Sequence, residues 1–180
     1  MDSPQSQAIF GHEGIGARDP QFEVAQVVLR VFGGGGFSSR LTESVRVQRG
    51  LTYGIGVGLD TGFGGGVLVG SVASDNGKIA EALSVTRDEW ARMAADGPND
   101  AEMAEAIAFL TGSLALQFTD SRRIANTLIA MQRNGRPIDW LDGRSDRLRA
   151  ITRDDAARMA RRLLKPEALS VTVAGRPVGL

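Results

Sequence analysis

The residues best equipped for chemistry stand seven apart in the stretch RVQRGLTY: Arg46 and Tyr53, the latter the only tyrosine among 180 residues. A guanidinium offers a planar fork of donors and a phenol offers one O–H. Together they suit a partner rich in acceptors, such as the carbonyls of an extended peptide. The same pair has a structural reading, with Tyr53 as a strand aromatic packed in the core and Arg46 as a solvated arginine at a helix end. Pattern alone leans to the structural reading.

Other chemistry is scarce. The chain has no cysteine and one histidine, His12. A catalytic zinc takes three protein ligands as a rule, mostly histidines with a carboxylate, so His12 cannot assemble one. Its setting, GHEG, reads as a strand end followed by a turn, which gives no basis for a Ser-His-Asp triad. His12 is expected to be structural or superficial. The four glycines of FGGGGFSSR, Gly33 to Gly36, invite a phosphate-loop reading. A Walker loop needs a Lys-Ser/Thr pair after its last glycine, and Phe37-Ser38-Ser39-Arg40 stands there instead. A dinucleotide fingerprint needs a strand before the glycines, whereas residues 20–32 carry a helical period. The glycines therefore read as a close reversal between two helices, using positive backbone angles.

The elements that position these residues follow from periodicity. Gln7 to Gly11 reads as a first strand. Asp19-Pro20 opens a helix with Asp19 as its cap, and Phe22, Val24, Ala25, Val28, Leu29 and Phe32 form its apolar face up to Gly33. Ser38 or Ser39 caps a second helix that turns Leu41 and Val45 inward and ends at Gly50. The period then changes to two, with Tyr53, Ile55, Val57 and Leu59 alternating with small or polar residues. Residues 53–73 read as an antiparallel hairpin whose turn spans Thr61 to Gly65. Five helices follow. The first presents Ile79, Leu83, Thr86, Trp90 and Met93 before Gly97-Pro98 stops it. The next has an Asn99–Glu102 capping box. A third, from Asp120 to Arg133, turns Ile124, Leu128 and Met131 inward. A short one lies around 140–148, and the last runs from Thr152 to Leu163. A final strand spans Leu169 to Ala174. The order β-α-α-β-β-α-α-α-α-α-β predicts an α+β fold, with one mixed or mostly antiparallel sheet and helices packed against it.

Composition bounds the rest. With 42% apolar and 23% charged residues, the chain suits one domain with one core. The formal net charge is +0, which gives no basic footprint for nucleic acid, and no apolar run is long enough for a membrane helix. The opening MDSPQSQAIFGHEG is neither a signal peptide nor an amphipathic presequence and enters a strand almost at once. Residues 1–180 thus read as a single domain cut from a longer chain. Periplasmic and cytoplasmic locations both stay open.

The succession GGGGFSSRL then RVQRGLTYGI resembles the C-terminal homologous domain of the pitrilysin/insulinase family of zinc metallopeptidases, which includes the mitochondrial processing peptidases. Asp19-Pro20, Asn99 to Glu102, Thr152 to Asp155 and the closing strand to Gly175 fall where that domain has them, so the resemblance covers about residues 5–177. The family's inverted zinc motif, His-x-x-Glu-His, is absent. The resemblance therefore implies the half that binds no metal, facing a homologous zinc-bearing half on the same chain or on a separate subunit. A homodimer is compatible with it.

The resemblance also implies roles. Arg46 clamps the main chain of a peptide or unfolded polypeptide. Tyr53 donates to the oxygen that becomes negative as the peptide bond is attacked. Gly34, Gly35 and Gly36 fall where the non-catalytic subunit of the mitochondrial processing enzyme has a longer glycine loop that touches substrate, although this chain lacks the long insertion. The rival expectations are a structural scaffold, as family relatives in respiratory complexes have become, and a nucleotide-binding module at Gly33 to Ser39.

Overall fold

A computed structural model describes residues 3–36, 38–62 and 65–180. Four strands form one antiparallel sheet in the order β2-β3-β1-β4. They are β1 (Gln5–Glu13), β2 (Ile55–Asp60), β3 (Val67–Asp75) and β4 (Ser170–Ala174). β2 and β3 make the expected hairpin, with Ile55 opposite Val72 and Asp60 opposite Val67. Two residues of its anticipated turn, Phe63 and Gly64, lie outside the described residues. β1 lies between β3 and β4 and is antiparallel to both. The expected α+β fold is present, and its sheet is wholly antiparallel.

Alternation along the strands gives the sheet one covered face and one open face. Ser6, Ala8, Phe10 and His12 of β1 turn inward, as do Leu68, Val72 and Ser74 of β3. Ile9, Val67 and Val69 point to solvent on the other side. The helices cover the inward face. α1 (Phe22–Phe32) and α2 (Ile79–Asp96) bring Phe32 and Trp90, which meet edge to face at 5.0 Å. Phe10 packs on the same indole at 6.0 Å. Ile79, Leu83, Thr86, Trp90 and Met93 all come out buried, as the helical period predicts.

Capping chemistry sets the later helices. Asn99 closes a capping box with Glu102 at the start of α3 (Asp100–Gly112), and Thr152 does so with Asp155 at the start of α6 (Arg153–Leu163). α4 spans Ser121–Arg133 behind an Asp120 cap, and α5 is short, Arg144–Arg149.

Three expectations need correction. α1 starts at Phe22, later than Asp19-Pro20 suggests. The Asp19 carboxylate accepts from the Gln21 amide at 2.8 Å, which makes a turn ahead of the helix rather than its cap. β2 starts at Ile55 rather than Tyr53. On α4 only Met131 is buried, while Ile124 and Leu128 remain substantially exposed. Among the described residues no helix is long and apolar enough to cross a membrane.

Candidate functional site

The site begins on a single π-helical turn, Thr42–Val47, which continues the short helix after the glycines. Ser39 rather than Ser38 opens that helix. Its carbonyl accepts from the Glu43 amide at 2.9 Å and its hydroxyl donates to Thr42 at 2.9 Å. Leu41 and Val45 are fully buried, which fixes the rotation of the turn and brings Arg46 to its rim, half-buried in the last turn. There the cation faces the negative end of the helix.

Gly50 releases the chain. At φ +59° its amide donates to the Arg46 carbonyl at 2.9 Å, and the Leu51 amide closes onto Val45 at 3.0 Å. The backbone is next pinned by side chains. The Thr52 hydroxyl lies 2.6 Å from the Ala73 carbonyl and accepts from the Gly54 amide at 3.0 Å. The Ser74 hydroxyl donates to the Leu51 carbonyl. Leu51, Thr52 and Ser74 are all buried, while Tyr53 between them is 88% exposed.

Arg46 and Tyr53 line one groove of about 390 Å³ at the end of the sheet where β1 begins and β3 finishes. Gln5, Ala73, Asp75 and Lys78 also line it. The sequence pair is thus brought together in one open depression. The core-packing reading of Tyr53 fails on its exposure. The groove's flanking charges, Asp75 and Lys78, escaped the sequence reading because nothing local marks them. The departure of the chain before Gly54 did have a signal: a Thr two residues ahead of a Gly can take that amide on its hydroxyl and end a strand pattern.

Gly34, Gly35 and Gly36 are not among the groove's lining residues. Their loop is organised by Arg30, a buried arginine of α1. Its guanidinium donates to the Gly35 carbonyl at 2.6 Å and to the Ser38 hydroxyl at 3.3 Å, and it sits 4.0 Å from the centre of the Phe109 ring. Gly35 and Gly36 take the positive angles expected of a reversal, φ +94° and +84°. Gly33 reaches the hairpin, its carbonyl accepting from the Val57 amide of β2 at 2.8 Å.

His12 has both ring nitrogens engaged. Nε2 accepts from the Lys165 amide at 3.2 Å, so Nδ1 carries the proton and donates to the Glu13 carbonyl at 2.7 Å. Its ring packs edge-on to Trp90 at 5.5 Å. Among the described residues no group of three or more His, Cys, Asp or Glu could hold a metal ion. The described residues do not fit a zinc site.

One ion pair braces the short helix against the rest. Arg40 grips Glu102 with Nε at 2.6 Å and a terminal nitrogen at 2.7 Å, and also donates to the Gly97 carbonyl at 2.9 Å. Burial pushes the Glu102 carboxyl up, but hydrogen bonds from Arg40 and the Asn99 amide outweigh it and hold the group below its ordinary value. This pair ties the Arg46-bearing segment to the start of α3.

The sequence profile of the family described as the peptidase M16 inactive domain matches residues 1–110. An uncharacterized zinc protease of Streptomyces coelicolor is 31% identical over 161 residues, which takes in 89% of this chain and 35% of that protein. The chain spans about a third of the length of the curated relatives it matches. The crystal structure of a peptidase M16 inactive domain from Pseudomonas fluorescens superposes with a TM-score of 0.90 at 25% identity, covering 99% of this chain and 42% of that one. A chain of complex III2 from Candida albicans shares the fold alone, with a TM-score of 0.79 at 16% identity over 98% of this chain and 44% of its own.

Proposed function

Because this chain belongs to the peptidase M16 inactive domain family, we propose that it is the zinc-free, substrate-holding part of a zinc protease. In this reading Arg46 and Tyr53 grip the main chain of a peptide or unfolded polypeptide. A homologous zinc-bearing half, on the same polypeptide or on another subunit, supplies the metal and the general base. The observation that carries the reading is the placement of the only tyrosine. A phenol left 88% exposed on a backbone held by buried hydrogen bonds, in the groove that also takes Arg46, is spent neither on packing nor on strand pairing.

The chemistry follows from the donors. An extended peptide offers carbonyls at a regular spacing, and a guanidinium can hold one of them in a fixed orientation. Charge grows on the scissile carbonyl oxygen as it is attacked, and a phenol O–H aimed at that position stabilises it more than it stabilises the ground state. One such donor contributes about 2.7–4 kcal/mol. Both contacts address main chain, so the side chains of the substrate are read loosely.

The test is steady-state hydrolysis of a fluorogenic peptide by the full-length protein, together with its zinc-bearing partner if that is separate. Tyr53→Phe is expected to lower kcat by about 10²–10³-fold with little change in KM. Arg46→Ala is expected to act mainly on KM. A Tyr53→Phe enzyme with unchanged kcat and KM would leave the scaffold reading standing, to which the shared fold of the complex III2 chain is also suited.

A further inference from the structure

The alternation of β2 poses a problem that its neighbours solve. Ile55 and Val57 face the core, and a strand that ran on by two residues would send Tyr53 to the same face. Continuing the β2–β3 register past Ile55 and Val72 would set Tyr53 opposite Ser74. The ladder stops instead at Ile55, and two side chains replace its missing rungs. The Thr52 hydroxyl takes the Ala73 carbonyl at 2.6 Å, and the Ser74 hydroxyl takes the Leu51 carbonyl. Thr52 also accepts the Gly54 amide at 3.0 Å, closing a tight turn around Tyr53. Gly54 has open space where a Cβ would stand.

The hydrogen bonds are therefore what reverses the phase. They carry the phenol away from the core face and set it beside Gln5, Ala73 and Asp75, which are exposed strand residues lining the groove. Thr52 and Ser74 are 9% and 2% exposed, so their hydroxyls are largely shielded from water.

We infer that Thr52, seconded by Ser74, is the positioning residue of this site, holding Tyr53 out of register so that its phenol stands in the peptide groove. The inference rests on the function proposed above for the catalytic effect of Tyr53 but not for its placement, and two readouts keep these apart. The first is chemical. Nitration of Tyr53 by tetranitromethane in the folded full-length protein, followed by the mass of the peptide that carries it, reports exposure of the phenol whatever it does in catalysis. Thr52→Val keeps the shape and removes the hydroxyl. It is expected to slow nitration severalfold, while Thr52→Ser, which restores the hydroxyl, nitrates like the parent. Ser74→Ala, which removes only the second lock, is expected to shift in the same direction by less, and stands in if Thr52→Val does not fold.

The second readout is kinetic. Thr52→Val is expected to cost about tenfold in kcat, with Thr52→Ser close to the parent. Added to Tyr53→Phe it should cost nothing more, because the group it positions is already gone. Unchanged nitration in folded Thr52→Val, or in Ser74→Ala if Thr52→Val does not fold, would overturn the inference, as would a full additive loss in the Tyr53→Phe background. If Tyr53→Phe alone leaves kcat unchanged while Thr52→Val still slows nitration, the proposed function falls and the positioning stands.

Discussion

At the scale of single residues, the two groups that sequence reasoning set furthest apart turn out to be opposites in use. His12 has a side-chain type often used in catalysis but is consumed by structure, with both nitrogens bonded and its ring against Trp90. Tyr53 has a pattern that belongs in a core, and it stands in solvent. His12→Ala is accordingly expected to destabilise by about 2–3 kcal/mol, from a lost packing contact and an orphaned Lys165 amide, while under the proposed function the folded full-length protein keeps its kcat. Urea unfolding and peptide hydrolysis on the same preparation check both halves of that statement. Gly50→Ala places a Cβ in a left-handed backbone with open space around it, so strain alone acts, at about 1–2 kcal/mol. His12 could be read in part from composition, because one histidine without cysteine cannot supply the usual ligands of a catalytic zinc. The exposure of Tyr53 was legible only in part, through Thr52 two residues ahead of Gly54, because Ser74 meets the Leu51 carbonyl, 23 positions away in sequence, only in the folded sheet.

At the scale of elements, local signals did most of the work where they were short-range. Asn99 with Glu102 and Thr152 with Asp155 cap their helices as their spacing requires, because a capping box is complete within four residues. The glycine reversal was legible for the same reason. Its lock was not, since a buried arginine holding a loop carbonyl leaves no trace in a propensity. Glu102 links two scales, serving its own helix and holding Arg40. A carboxyl depressed on folding adds stability that is complete above its unfolded value of about 4.5 and is lost as pH falls through the lower folded one. Glu102→Gln should therefore lower the urea midpoint at neutral pH, and the gap to the parent should close as the solution is acidified below about 4.5. A gap that stays constant with pH would remove the carboxylate from the account.

For the whole molecule, the helical period predicts Ile124 and Leu128 inside, and both are exposed, as is Ile129. Periodicity reports that a helix has an apolar face, and it does not report what covers it. Trp90→Ala should cost about 3–5 kcal/mol, whereas Leu128→Ser should change stability by about 0.5 kcal/mol or less in this chain. Chemical denaturation of the two variants side by side decides between a core and a surface role for α4. The sheet adds a constraint of another kind. β1 is flanked on one side by β4, so within this sheet the strand that comes first in sequence is completed by the one that comes last. Until residue 174 has left the ribosome, Gln7 to Gly11 present a bare edge of amides and carbonyls, with Ile9 on the uncovered face beside it. A chain without β4 keeps that edge unpaired and open to a strand from another molecule, and a nick between α6 and β4 is expected to return a finished molecule to that condition.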